Sequence, residues 1–249
     1  MNRRVMTSQN EIPGKVNDRK IFLAVSVFYV IAVLIRYLTN KTQLLSGIDN
    51  TFIKVILQAI GPTIGALVAF RFFQIKPVMT LKGDFKNFFV PLAIYWLLPV
   101  ILIETTAYFS TSTLPRVAVI TILVYGLFEE IGWRGFLQQA LVSLPKFVRI
   151  TLITVLWFAW HLNFEMSLSN LTFFLILFAG SWALGFIAEK TNCLLAVSAI
   201  HSLNNFFSDS NVYKIGVLSF LLLVWVLSIV YRNKLGGNKI NSYLPVTLV

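Results

Sequence analysis

The chain has 249 residues, 57% of them hydrophobic and only 12% charged, with a mean hydropathy of +0.77. Soluble domains carry about 25% charged residues, so this composition excludes an ordinary soluble fold and points to a polytopic membrane protein. The net charge of +11 must then be read against the spans rather than as a nucleic-acid signal, and the single Cys193 excludes an intramolecular disulfide and a cysteine-only metal site.

The first twenty residues are polar, hold Pro13-Gly14 and are expected to be unstructured. The basic start followed by the apolar run Ile21–Leu38 is ordered like a signal peptide. That run is too long and lacks a small-x-small cleavage site, so a retained helix is predicted. Further runs of spanning length follow at Phe52–Phe73, Phe88–Tyr108, Val117–Leu144, Phe147–Phe164, Leu171–Ala188, Leu194–Phe207 and Ile215–Tyr231. The reading is an all-α membrane helical bundle of about eight transmembrane helices, forming one domain over residues 21–231 and followed by a tail at 232–249. Pro62 and Pro99 fall inside spans, where kinks are tolerated if neighbours satisfy the freed carbonyls. Gly61, Gly65, Gly132 and Gly135 are candidates for close helix approach.

The connections divide the basic residues unevenly. Fifteen fall with the N-terminus, the link between spans two and three, Lys146, Arg149, Lys190 and the tail. Five fall on the other side: Arg36, Lys41, Lys54, Arg116 and Lys214. The positive-inside rule therefore predicts a cell-membrane protein with both termini cytoplasmic.

The fourth run holds the most unusual polar residues, in Phe128-Glu129-Glu130-Ile131-Gly132-Trp133-Arg134-Gly135. Charges inside lipid cost at least a few kcal/mol and mark functional sites by default. At i,i+4 spacing Glu130 and Arg134 can neutralise each other, whereas Glu129 is turned about 100° away and left unpaired. The only two histidines also fall in predicted spans. His161 ends Trp157-Phe158-Ala159-Trp160-His161, and His201 precedes Asn205 by one helical turn. At about 1.5 Å per residue, Glu129 and His161 lie roughly 21 to 22 Å from the cytoplasmic ends of their spans, and His201 roughly 10 to 16 Å. One buried site is thus geometrically allowed. Glu104 is expected to pair with Arg116 in a structural role.

These motifs resemble those of the CAAX prenyl endopeptidase and bacteriocin-processing family of intramembrane proteases, also called the Abi family. Glu129-Glu130-x-x-x-Arg134 resembles the family's first motif, His161 its second, and His201-x-x-x-Asn205 its third, over about residues 120 to 208. The family's second motif usually begins with phenylalanine, where this chain has Trp157, another aromatic able to fill the same place. The resemblance implies that Glu129 takes a proton from water oriented by His161, that His201 and Asn205 stabilise the oxyanion, and that Glu130 with Arg134 braces the helix. These are the base and donors that peptide hydrolysis requires.

Zinc is the alternative chemistry. Glu129, His161 and His201 would be a credible set with an open fourth position, although the chain holds no His-Glu-x-x-His element. A glutamate-dependent hydrolase without a cofactor is the favoured expectation. The implied substrate is a membrane-associated peptide or protein, with the bilayer as the other partner and no nucleic acid. The chain's small size looks bacterial. Two other classes compete: a non-catalytic bacteriocin-immunity or regulatory scaffold, and a proton-relay transporter. The second would usually show matching halves with broken helices, and none are visible.

Overall fold

The computed structural model describes residues 18–112, 114–206, 212–232 and 234–235. Among these, eight helical rods follow one another. They are α1 (Asp18–Asn40), α2 (Thr51–Phe72), α3 (89–111), α4 (116–138), α5 (Lys146–Trp160), α6 (Leu168–Thr191), α7 (Leu194–Phe206) and α8 (Val212–Val230). The expected all-α bundle is what forms. By length and composition five rods, α1, α2, α3, α6 and α8, can cross a membrane. Their outward faces carry large exposed apolar side chains such as Phe22, Phe72, Ile101, Leu175 and Leu223, which is the surface lipid requires.

The other three rods, α4, α5 and α7, hold the polar residues. With 15 and 13 residues, α5 and α7 reach only about 22 and 20 Å. Several predicted boundaries move, and the run expected to reach Leu144 ends as α4 at Gln138. The run ending at Phe164 stops as a helix at Trp160, with His161 as its cap and Leu162 turned to φ 55°. The N-terminal segment expected to be unstructured instead contributes residues 18–20 to α1, while its first seventeen residues and most of the tail lie outside the described residues.

Two rods change pitch. In α3 the turn Leu92–Leu97 is π-helical and runs into Leu98–Thr111, with Pro99 in its first turn. The wider turn absorbs the proline's missing N–H, and Trp225 of α8 donates its indole N–H to the Ile94 oxygen at 2.9 Å. In α4 the segment Ile131–Gln138 is π-helical and follows directly on the two glutamates. At the junction Thr63 of α2 donates its hydroxyl to the Phe128 oxygen at 2.6 Å. Single π turns are frequent at functional sites.

Close approach between rods depends on glycine. A Cβ on Gly132 would lie 2.4 Å from Pro62 Cβ, and one on Gly126 would lie 2.7 Å from Ser202 Oγ and 2.9 Å from the Ser198 oxygen. Gly132 thus seats α4 on α2, and Gly126 seats α4 on α7. Gly61 and Gly65 likewise admit the α1 backbone, whereas Gly135 would meet nothing nearer than 3.7 Å. That position is not a close approach.

The link between α2 and α3 folds over the start of α7. Thr80 N donates to the Asn192 oxygen at 3.1 Å, Leu194 N to the Thr80 oxygen at 2.9 Å and Asp84 N to the Thr191 oxygen at 2.9 Å. Gln139 pins the same link through Val78 N and the Lys76 oxygen. Residues Cys193 to Val197 are consequently buried. Since α7 begins under this cover rather than at the surface, His201 reaches the level of Glu129 with only seven residues of helix before it.

Candidate active site

Glu129 and Glu130 close the α-helical part of α4, and both are fully buried. Glu130 accepts a hydrogen bond from Arg134 Nη1 at 3.1 Å, the i,i+4 pair expected from the sequence. The guanidinium also reaches Ser181 Oγ of α6 at 3.4 Å and lies over the Trp157 ring, 4.7 Å from its centroid. Glu130 does more than brace its helix, because its Oε1 also accepts from His201 Nδ1 at 2.6 Å. The sequence reading put His201 and Glu130 in separate roles; the fold joins them.

Glu129 points the other way. Its Oε2 accepts from the indole Nε1 of Trp157 at 2.9 Å. Tyr125, one turn earlier on α4, lies close to both Glu129 and Arg36. Arg36 of α1 is itself stacked on Trp160, 4.2 Å from the ring centroid, and donates to the Gln58 oxygen.

His161 caps α5. Its Nδ1 lies 2.8 Å from the Trp157 oxygen. A carbonyl only accepts, so Nδ1 carries the proton and the neutral ring keeps its lone pair on Nε2. The same rule places a proton on His201 Nδ1 against the Glu130 carboxylate.

Glu129, His161, His201 and Asn205 line one cavity of about 220 Å³, closed on its other sides by Tyr125, Trp157, Ile200 and a wall of α6. That wall presents Phe173, Ile176, Leu177, Gly180, Ala183 and Leu184. These recur at helical three- and four-residue spacing, and Ile176 and Ala183 are also exposed on the outer surface. The cavity therefore abuts the membrane-facing side of the bundle. Glu130 and Arg134 do not line it; they stand behind His201 and Trp157.

Residues 111–207 match a family model described as the Rce1-like type II CAAX prenyl endopeptidases. Over this stretch the chain is similar to the Rce1-like family. The match runs over α4 to α7 and contains every residue of the cavity. No curated protein matches the chain. Together with the five long apolar rods, this similarity to a membrane-protease family fits a multi-pass membrane protein.

The zinc alternative fares differently. Among the described residues no three His, Cys, Asp or Glu side chains are grouped so as to hold a metal ion. Both histidine Nδ1 atoms are engaged, by Glu130 and the Trp157 carbonyl, which leaves Nε2 of each ring open to other partners, and Glu129 Oε2 accepts from the Trp157 indole.

Three contributors escaped the sequence reading: Trp157, taken only as an aromatic filler, Tyr125 and Arg36. Tyr125 lies four residues before Glu129 and Trp157 four before His161, so the i,i+4 rule applied backwards from each candidate would have found both. Arg36 has no such signal. Its place follows from α1 packing against α2 and α5. The expected Glu104 pair forms, with Arg116 Nε at 3.6 Å, away from the cavity.

Proposed function

We propose that the chain is an intramembrane endopeptidase that hydrolyses a peptide bond in a membrane-associated protein or peptide. The observation that carries this is the convergence of Glu129, His161, His201 and Asn205, from α4, α5 and α7, on one cavity against the membrane-facing side. Glu129 is the base, and His161 Nε2, left as an acceptor by the Trp157 carbonyl, orients the water. Attack forms a C–O bond and moves the carbonyl electron pair to oxygen, with the water proton passing to Glu129. His201 and Asn205 face this oxyanion from α7; its electron pair then re-forms the carbonyl as the C–N bond breaks, and the proton on Glu129 goes to the leaving amine.

Hydrogen-bond geometry supports these roles, because Glu130 Oε1 holds His201 Nδ1 at 2.6 Å. A protonated His201 donates from Nε2 while Glu130 holds Nδ1, which is the geometry an oxyanion donor needs. The mechanism uses only these side chains.

The test does not require a known substrate. Protein termini in membranes of cells making wild-type or Glu129→Gln protein are compared by mass spectrometry. New termini confined to the wild-type cells are expected. Identical terminus sets, with a preserved cellular phenotype, would replace the protease by a scaffold that acts through binding.

A further inference from the structure

One residue touches both proposed water-activating groups. The indole N–H of Trp157 donates to Glu129 Oε2 at 2.9 Å, and its backbone oxygen accepts from His161 Nδ1 at 2.8 Å. The ring is 5% exposed, lies beside His201 with centroids 5.3 Å apart and carries the Arg134 guanidinium on its face. It also packs beside Trp133, with centroids 6.4 Å apart. Trp157 is therefore held by packing on several sides, and neither of its two polar links can move without the other.

We propose that Trp157 is a positioning residue, which sets the Glu129 carboxylate against His161 so that one water can bridge them. This rests on the reading of Glu129 as the base. The physical reason is that a glutamate has three rotatable side-chain bonds, and a base must stand within about 2.6 to 3.2 Å of the proton it takes. A donor fixed in a packed ring removes that freedom from Oε2. The His161 link uses backbone, so it survives any substitution at 157, whereas the Glu129 link needs a ring N–H. Phenylalanine would keep an aromatic ring and the His161 link and remove the hydrogen bond to Glu129.

Trp157→Phe is therefore the informative variant. In proteoliposomes supplied with a fluorogenic farnesylated CAAX peptide, its kcat should fall roughly 10- to 100-fold, the range for losing a hydrogen bond to a charged group, with KM unchanged. Its melting should stay near wild type. Independently of turnover, ¹⁵N-indole spectra of the six tryptophans identify Trp157 by the signal absent in Trp157→Phe. That signal should shift in Glu129→Leu and stay in place in Glu165→Gln, on the loop after α5. An unmoved indole signal in Glu129→Leu, or wild-type kcat in Trp157→Phe, overturns the proposal. Should wild-type protein leave the peptide uncut, the failure belongs to the proposed substrate class, and the indole signal alone decides the positioning claim.

Discussion

Arg134 and Glu130 form a fully buried pair at 3.1 Å, and Glu130 holds His201 as well. Breaking such a pair by removing one partner leaves an uncompensated buried charge, at a cost of about 3 to 5 kcal/mol. Arg134→Met leaves Glu130 with His201 as its remaining hydrogen-bonded cation, and Glu130→Leu strands both Arg134 and His201. Glu130→Leu with Arg134→Met removes both charges and leaves only the His201 Nδ1–H without an acceptor, a loss of about 1 to 3 kcal/mol. The double variant should accordingly melt above both single variants while remaining below wild type.

At about 2 to 4 °C per kcal/mol for a chain of this size, each single variant should lose roughly 6 to 20 °C. Cys193 supplies the assay. It is the only cysteine, it is buried, and burial pushes its thiol up to about 12, so a thiol-reactive dye in detergent reports only unfolded protein. A double variant no more stable than either single one would refute the coupling and remove Glu130 from its counter-ion role.

Gly126→Val should lower melting, with overpacking costing about 1 to 3 kcal/mol, because its side chain would push against the Ser198 backbone and separate α4 from α7. Gly180→Ala, where an added Cβ meets nothing within 4 Å, should melt like wild type in the same dye assay. A zinc chelator should leave cleavage in proteoliposomes unchanged; loss that added zinc restores would reinstate Glu129, His161 and His201 as ligands. Reporter fusions at residues 10 and 240 should both read cytoplasmic, as the basic asymmetry predicts, and an external reading at either end would break the orientation.

The rods were legible because lipid demands long apolar runs, and all eight starts lie within about three residues of those read from the sequence. The departures among the ends have physical causes. The helix through Phe164 stops early because His161 takes the Trp157 carbonyl, and Leu162 then adopts a left-handed turn. The four residues lining the cavity were legible as polar residues stranded in apolar spans. Their connections were not, since the Glu130 to His201 bond depends on how closely α4 and α7 approach at Gly126, and no local pattern encodes that distance. The π-helical stretch after Glu130 was equally hidden. The depth of His201 was underestimated because the cover that the link between α2 and α3 places on α7 is a tertiary feature.

The central claim is that Glu129 acts as a base and not as a packing group. Glu129→Gln keeps the shape of the side chain and an oxygen to accept from Trp157, so it changes the chemistry alone. Cleavage of a membrane-associated peptide by equal amounts of wild-type and Glu129→Gln protein in proteoliposomes, each first shown to melt at the same temperature, is the direct measurement. Loss of a general base predicts a rate lower by about 10²- to 10⁴-fold, with Glu165→Gln at the wild-type rate. A Glu129→Gln protein that cleaves at the wild-type rate would contradict the account.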